Sequence, residues 1–111
     1  MMDDEDRKLI VLTVKDQMRK KNPIVILHGT DTMSLSAERC FNEITEVSVP
    51  VVFTGAMIPM GFEDSDATQN ITEALMAAKL LPPGIYISFH NQIFALPHVR
   101  KNKDKRTFEA F

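Results

Sequence analysis

Ile24-Val25-Ile26-Leu27-His28-Gly29-Thr30-Asp31-Thr32 joins a short apolar run, entered after Pro23, to a polar cluster that turns on a glycine. A β-branched run of this length between proline and glycine has the pattern of a buried strand. The cluster after it carries an imidazole, a hydroxyl and a carboxylate within five positions. In an open α/β sheet the helices cover both faces, so the loops at the carboxyl ends of the strands line the ligand crevice. His28 to Thr32 is therefore the first candidate site.

Working outward, the stretch before Pro23 opens on Asp3, Asp4, Glu5 and Asp6 and closes on Arg19, Lys20 and Lys21. Those charges match the two ends of a helix dipole. Ile10, Val11, Val14 and Met18 fall on one face, so the spacing predicts a helix over 3–20 packed on a sheet. Asn22-Pro23 stops it, because proline disfavours α geometry in the residue before it. After the cluster a second helix is predicted from Ser34 or Ser36 to about Glu46, with Leu35, Phe41 and Ile44 facing inward and a serine as its cap. Pro50 then opens a second apolar run, Val51-Val52-Phe53, that ends in Thr54-Gly55-Ala56 and repeats the strand-then-turn pattern. A loop, Met57 to Asp66, precedes a third helix running to about Leu81, with Ile71, Leu75, Ala78 and Leu81 on its inner face. Pro82-Pro83-Gly84 breaks that helix. Ile85 to Phe89 reads as a third strand, leading through His90-Asn91-Gln92 to Ile93-Phe94. The alternation predicts an α/β domain, three-layer α/β/α, with parallel strands near 24–28, 50–54 and 84–89 and right-handed crossovers. The basic stretch Arg100 to Arg106 reads as a solvated surface or a mobile tail.

The chain has 111 residues, enough for one domain. At this size folding buries roughly two-thirds of the unfolded surface. Fifteen acidic residues stand against thirteen basic ones. That balance gives no basic excess to attract nucleic acid or anionic lipid, so neither is expected as a partner. No apolar run approaches the ~20 residues of a membrane span. The lone Cys40 has no intrachain partner for a disulfide, and the acidic start is unlike a signal peptide, so a reducing, cytoplasmic setting is the expectation. His28, His90 and His98 lack metal-ligand spacing, and no glycine-rich phosphate motif follows a strand. Neither metal nor organic cofactor is expected.

His28-Gly-Thr-Asp-Thr-Met33, then Val51 to Pro59 (VVFTGAMIP), then Ser65-Asp66-Ala67 with Asn70, resemble the asparaginase/glutaminase amidohydrolases of the bacterial type, which use threonine nucleophiles. The tail Val99-Arg100-Lys101-Asn102-Lys103 resembles a short, single-domain branch of that family. The three segments occur in the family's order and span nearly the whole chain.

The resemblance implies a Rossmann-like or flavodoxin-like sheet and hydrolysis of asparagine, or less selectively glutamine, to release ammonia. It implies that Thr30 activates the nucleophile or a water with Asp31 and a lysine as partners, and that Asp31 also holds the substrate's α-amino group. A gapless count from Asn91 puts the lysine at Lys101, with Lys103 the alternative if the turn is longer. Gly29, Thr30, Asp31 and the backbone of Ala56 are the implied substrate contacts. The partner implied is therefore a small amino-acid amide. The family's opening strand, ending in T-G-G-T with the primary nucleophile, and its D-S-S loop for the substrate carboxylate are not found in these residues. The expectation is an N-terminally truncated form of the domain, missing its first strand, weak or inactive alone and prone to form homo-oligomers through the uncovered edge. Its alternative is an inactive amino-acid-binding or interaction module of the same descent.

Blander readings stand beside each of these. A lone G-T-D-T serves as well to shape an Asx-type turn or cap the next helix; only the flanking segments favour function. His28 at a strand end reads as a hydrogen-bonded structural histidine, and Cys40 as part of an apolar helix face. Met57, Met60 and Phe62 read as loop packing.

Overall fold

The computed structural model describes residues 3–57 and 65–111. The expected roles of Ile58, Pro59, Met60 and Phe62 lie outside the described residues. The elements run α1 (Asp4–Met18), β1 (Ile24–Leu27), α2 (Met33–Glu43), β2 (Pro50–Thr54), α3 (Ala67–Leu80), β3 (Gly84–Phe89), β4 (Gln92–Ala95), β5 (Val99–Asn102) and β6 (Thr107–Ala110). The first four strands form one sheet in the order β1-β2-β3-β4, and β5 and β6 form a separate pair.

The α1 helix begins where its charges place it. Asp3 caps it, accepting from the Asp6 backbone N–H while the Asp6 side chain accepts from Asp3, which satisfies two of the donors a helix start leaves open. Val11 and Val14 are buried, and Ile10 and Met18 pack against the same core. The strands β1, β2 and β3 are parallel, with Leu27 opposite Thr54 and Phe53 opposite Ile87, so the turns after β1 and β2 lie at one end of the sheet. The sheet is not wholly parallel: β4 returns antiparallel to β3, with Phe89 opposite Gln92. The reason is a two-residue turn. His90 and Asn91 both have positive φ, 47° and 65°, and that pair of left-handed residues matches the twist of a hairpin.

Alternation along the buried strands divides the core. Val51, Phe53, Ile85, Ile87 and Phe89 face α1 and α2, while Val52 and Tyr86 face α3. The inner faces of α2 and α3 differ from expectation. Ile44 and Cys40 are buried as expected, but Leu35 and Phe41 are 53% and 41% exposed, and Met33 and Ala37 take inner positions instead. On α3, Leu75 is 51% exposed while Ala74, Ala77 and Ala78 are buried. Small side chains let this helix backbone lie close to the sheet, so the apolar stripe that counts is made of alanines and the larger residues are displaced to its flank.

The basic tail is the largest correction. Residues 99–102 and 107–110 pair as an antiparallel hairpin, with Lys101 opposite Phe108. Val99 and Phe108 are buried in the main core, and the Phe108 ring meets Phe89 edge-on at 5.1 Å. The intervening charges Lys103 to Arg106 are exposed in the turn, which is the part of the stretch that fits a solvated surface.

Candidate active site

The carboxyl ends of β1 and β2 are pinned together by the His28 N–H, which donates to the Thr54 carbonyl at 2.9 Å. Gly55 is required there: a Cβ at this position would stand 2.2 Å from the His28 carbonyl oxygen. The two turns therefore press backbone against backbone. His28 itself is buried; one ring nitrogen lies 2.6 Å from the Gly29 carbonyl and the other 2.8 Å from the Ser36 hydroxyl. It shapes the turn, and Ser36, read as a candidate cap, instead faces inward to meet it. The cap position belongs to Thr32, without a side-chain capping bond.

The turn carries Thr30 into a buried position and leaves Asp31 exposed at its side. From the far hairpin Lys101 reaches both. Its Nζ donates to Thr30 Oγ1 at 3.0 Å and to Asp31 Oδ1 at 2.7 Å. The lysine side chain is only 15% exposed and that of Asp31 is 87% exposed. The desolvated partner is thus the cation, and the pair acts to position the amine more than to stabilise the fold, since water screens the carboxylate. Lys103 lies in the exposed turn, so of the two lysines Lys101 is the one brought to Thr30. Gly29 is exposed beside Thr30, and Ala56 is half-buried in the turn after β2 at the same end of the sheet.

Electrostatics follows from these distances. The Lys101 hydrogen bond, then its charge, and more weakly the charge of Lys103, hold the Asp31 carboxyl below its usual value of 3.8. A carboxyl whose folded pKa is depressed adds stability above its unfolded pKa and loses it as pH falls through the folded value. The pair should therefore part at a lower pH than that at which an unpaired aspartate takes up its proton. A carbon-13 titration of Asp31 checks this: the expected midpoint lies below 3.8 and rises toward it in Lys101→Met. An unshifted midpoint would mean that the pair does not form in solution.

Chemically, an amine 3.0 Å from a hydroxyl can take its proton when neutral and stabilise the alkoxide when charged. Cys40 offers no rival nucleophile, because burial pushes its thiol up to about 11. Among the described residues no group of three or more histidine, cysteine or acidic side chains is placed to hold a metal.

A second set of polar residues stands behind the Ala56 turn. Asn70 is fully buried and donates to the Gly55 carbonyl at 2.9 Å and to Asp66 Oδ2 at 3.1 Å. The Met57 N–H reaches the same carboxylate oxygen at 3.2 Å. The sequence motif alone assigns Asp66 and Asn70 no contact; their four-residue spacing at a helix start is the signal that both face one turn.

A buried hydroxyl held by a lysine at the carboxyl ends of parallel strands is the kind of site that hydrolytic enzymes with a hydroxyl nucleophile use. The family model described as Asparaginase, N-terminal, matches residues 1–111. The chain belongs to the asparaginase family. It is 36% identical over 97 residues to the L-asparaginase of Thermococcus kodakarensis, covering 87% of this chain and 30% of that protein. L-asparaginase 1 of Escherichia coli K12 is 32% identical over 94 residues, covering 84% of this chain and 28% of its own length. The solved structure of the thermostable Thermococcus kodakarensis L-asparaginase superposes with a TM-score of 0.90 at 32% identity, over 99% of this chain and 34% of that one. The chain thus spans about a third of the length of these relatives.

Proposed function

We propose that the chain is the N-terminal-domain portion of an L-asparaginase-type amidohydrolase, converting asparagine to aspartate and ammonia, with Thr30, Asp31 and Lys101 as its reactive set. One observation carries the reading: Lys101 Nζ sits between Thr30 Oγ1 and Asp31 Oδ1. Lys101 prepares the hydroxyl, Asp31 offers a carboxylate to the substrate's ammonium, and Gly29 and the Ala56 backbone line the crevice at the same sheet end. No cofactor is invoked. The architecture we infer is the three-layer α/β/α form with Rossmann-like crossovers, and the single free, buried Cys40 suits a reducing cytoplasm.

The test is ammonia release from asparagine by the chain as given and by a version extended with a T-G-G-T strand and a substrate loop. Little release is expected from the first and turnover from the second. An extended form that folds and binds aspartate but releases nothing would favour the alternative, a binding module.

The edge of the sheet supports a further part of this reading. Among the described residues β1 pairs only with β2, so its outer hydrogen-bonding groups face a groove of about 760 Å³. That groove runs along α1 and β1 past Ile10, Thr13 and Ile26, and its lining contains none of Thr30, Asp31 and Lys101. Leu9 and Leu27 beside it are each 63% exposed. An apolar edge strand invites pairing, so the chain as given should self-associate. Light scattering at micromolar concentration should give a dimer or larger; a stable monomer would count against it.

A further inference from the structure

His90 stands where a hairpin turn ordinarily prefers Asn-Gly. Its φ of 47° lies in the left-handed region, which non-glycine residues enter infrequently, histidine among the more frequent of them. The ring is nevertheless held on both nitrogens. Nε2 lies 2.6 Å from Asp66 Oδ2, and Nδ1 lies 3.0 Å from the Thr107 hydroxyl. Its backbone N–H donates to Asn70 Oδ1 at 3.1 Å. A carboxylate only accepts, so the Nε2–H is the donor to Asp66, and Nδ1 is left to pair with the Thr107 hydroxyl.

These bonds link two parts of the site that are far apart in the chain. On one side, Asp66 and Asn70 hold the Gly55 carbonyl and the Met57 N–H, which flank Ala56. On the other, Thr107 pairs with Asn102 and precedes Phe108, the residue opposite Lys101. Ring contacts add to the link, since Phe89 lies 4.2 Å from His90 and 5.1 Å from Phe108. Val99 and Phe108 seat the hairpin in the main core, Phe108 directly opposite Lys101. The hydrogen bond at Thr107 adds a polar tie one residue from Phe108, on the strand that pairs with the one carrying Lys101.

We propose that His90 is a positioning residue: clamped by Asp66 and Asn70 beside the Ala56 turn, it sets through Thr107 the orientation of the hairpin that delivers Lys101 to Thr30. The proposal rests on the reading of Thr30, Asp31 and Lys101 as the reactive set for its consequence, but not for its geometry, and the experiment separates the two. It would be a role specific to the way this chain bridges its turn and its hairpin, since the ring touches neither Thr30 nor Lys101.

The primary readout needs no turnover. The side-chain ammonium resonances of Lys101, identified by their loss in Lys101→Arg, report its contacts with Thr30 and Asp31. Thr107→Val keeps the shape of the side chain and removes the hydroxyl; His90→Gln reaches toward Asp66 and releases Thr107; Thr107→Ser keeps the bond. The Lys101 signal should move toward those of the exposed lysines in Thr107→Val and in His90→Gln, and stay with the parent in Thr107→Ser. If Thr107→Val fails to fold, His90→Gln decides alone. In the form that releases ammonia, the first two variants should lose kcat by about tenfold to a hundredfold with KM little changed, the cost expected of a misplaced catalytic group. A Lys101 signal unmoved by both substitutions, or moved as far by Thr107→Ser, would overturn the proposal. So would a kcat that Thr107→Val leaves intact. A chain that never releases ammonia but shows the expected movement would retire the amidohydrolase reading and keep the positioning role.

Discussion

Lys101→Met is expected to lower ammonia release from asparagine by about a thousandfold in the extended form while leaving the chain folded, in line with the loss of a positioned proton-transfer group. Methionine keeps the aliphatic stem, and with it the packing of a side chain that is 15% exposed. What disappears is the amine that donates to Thr30 at 3.0 Å and to Asp31 at 2.7 Å. Because the Asp31 carboxylate stands in water, losing the pair should cost the fold little. Activity and stability therefore part company, which is the signature of a reactive group. Lys101→Arg should not restore turnover, since a guanidinium keeps its proton and cannot serve as a base.

Thr30→Val should fall to a similar level, because it leaves the amine with no hydroxyl to act on. The double variant should be no worse than either single one, as groups that act as a unit lose their effect together. Kinetics of the three variants, with urea unfolding beside them, settle the matter. If Lys101→Met kept activity within about tenfold of the parent, the lysine would be a hairpin fastener rather than a participant in proton transfer.

Much of the fold was legible in the chain because its strongest local signals agree with one another. The acidic start, basic end and apolar stripe of α1 name one helix, and the bounded β-branched runs name β1, β2 and β3 with ends close to those observed. What was misread shares one physical cause: burial by small or charged residues, which hydrophobicity does not mark. On α3 the expected Ala78 is buried, but its companions are Ala74 and Ala77, and the eye is drawn instead to Leu75. The tail looked like a solvated charge run because its charges are dense. Yet Val99 and Lys101 sit two apart on one face of a strand, opposite Ala110 and Phe108, and that alternation was there to be read. Lys101 was placed by family resemblance and not by the pattern of its neighbours. The contacts of Asp66, Asn70, His90 and Thr107 depend on four separate segments meeting in space, and no local pattern encodes such a meeting.

Gly55→Ala should be the most damaging small substitution near the crevice, costing the fold about 1–3 kcal/mol through overpacking. The added Cβ would stand 2.2 Å from the His28 carbonyl oxygen and 3.4 Å from its carbon, and 3.0 Å from the Met33 methyl. The methionine can swing aside, but the carbonyl cannot. His28 is tied to Thr54 through its own N–H at 2.9 Å and to Ser36 through its ring at 2.8 Å. Relief must come from separating the ends of β1 and β2, which drags Thr30 away from Lys101, so activity in the extended form should fall further than the stability loss explains. A comparison isolates the cause. Gly29→Ala meets nothing within 4 Å, so its unfolding midpoint should stay near that of the parent. Urea unfolding of the two variants side by side is the measurement. Were Gly55→Ala as stable as Gly29→Ala, the close approach of the two turns would not exist in solution, and the placement of Thr30 against the Ala56 turn would fall with it.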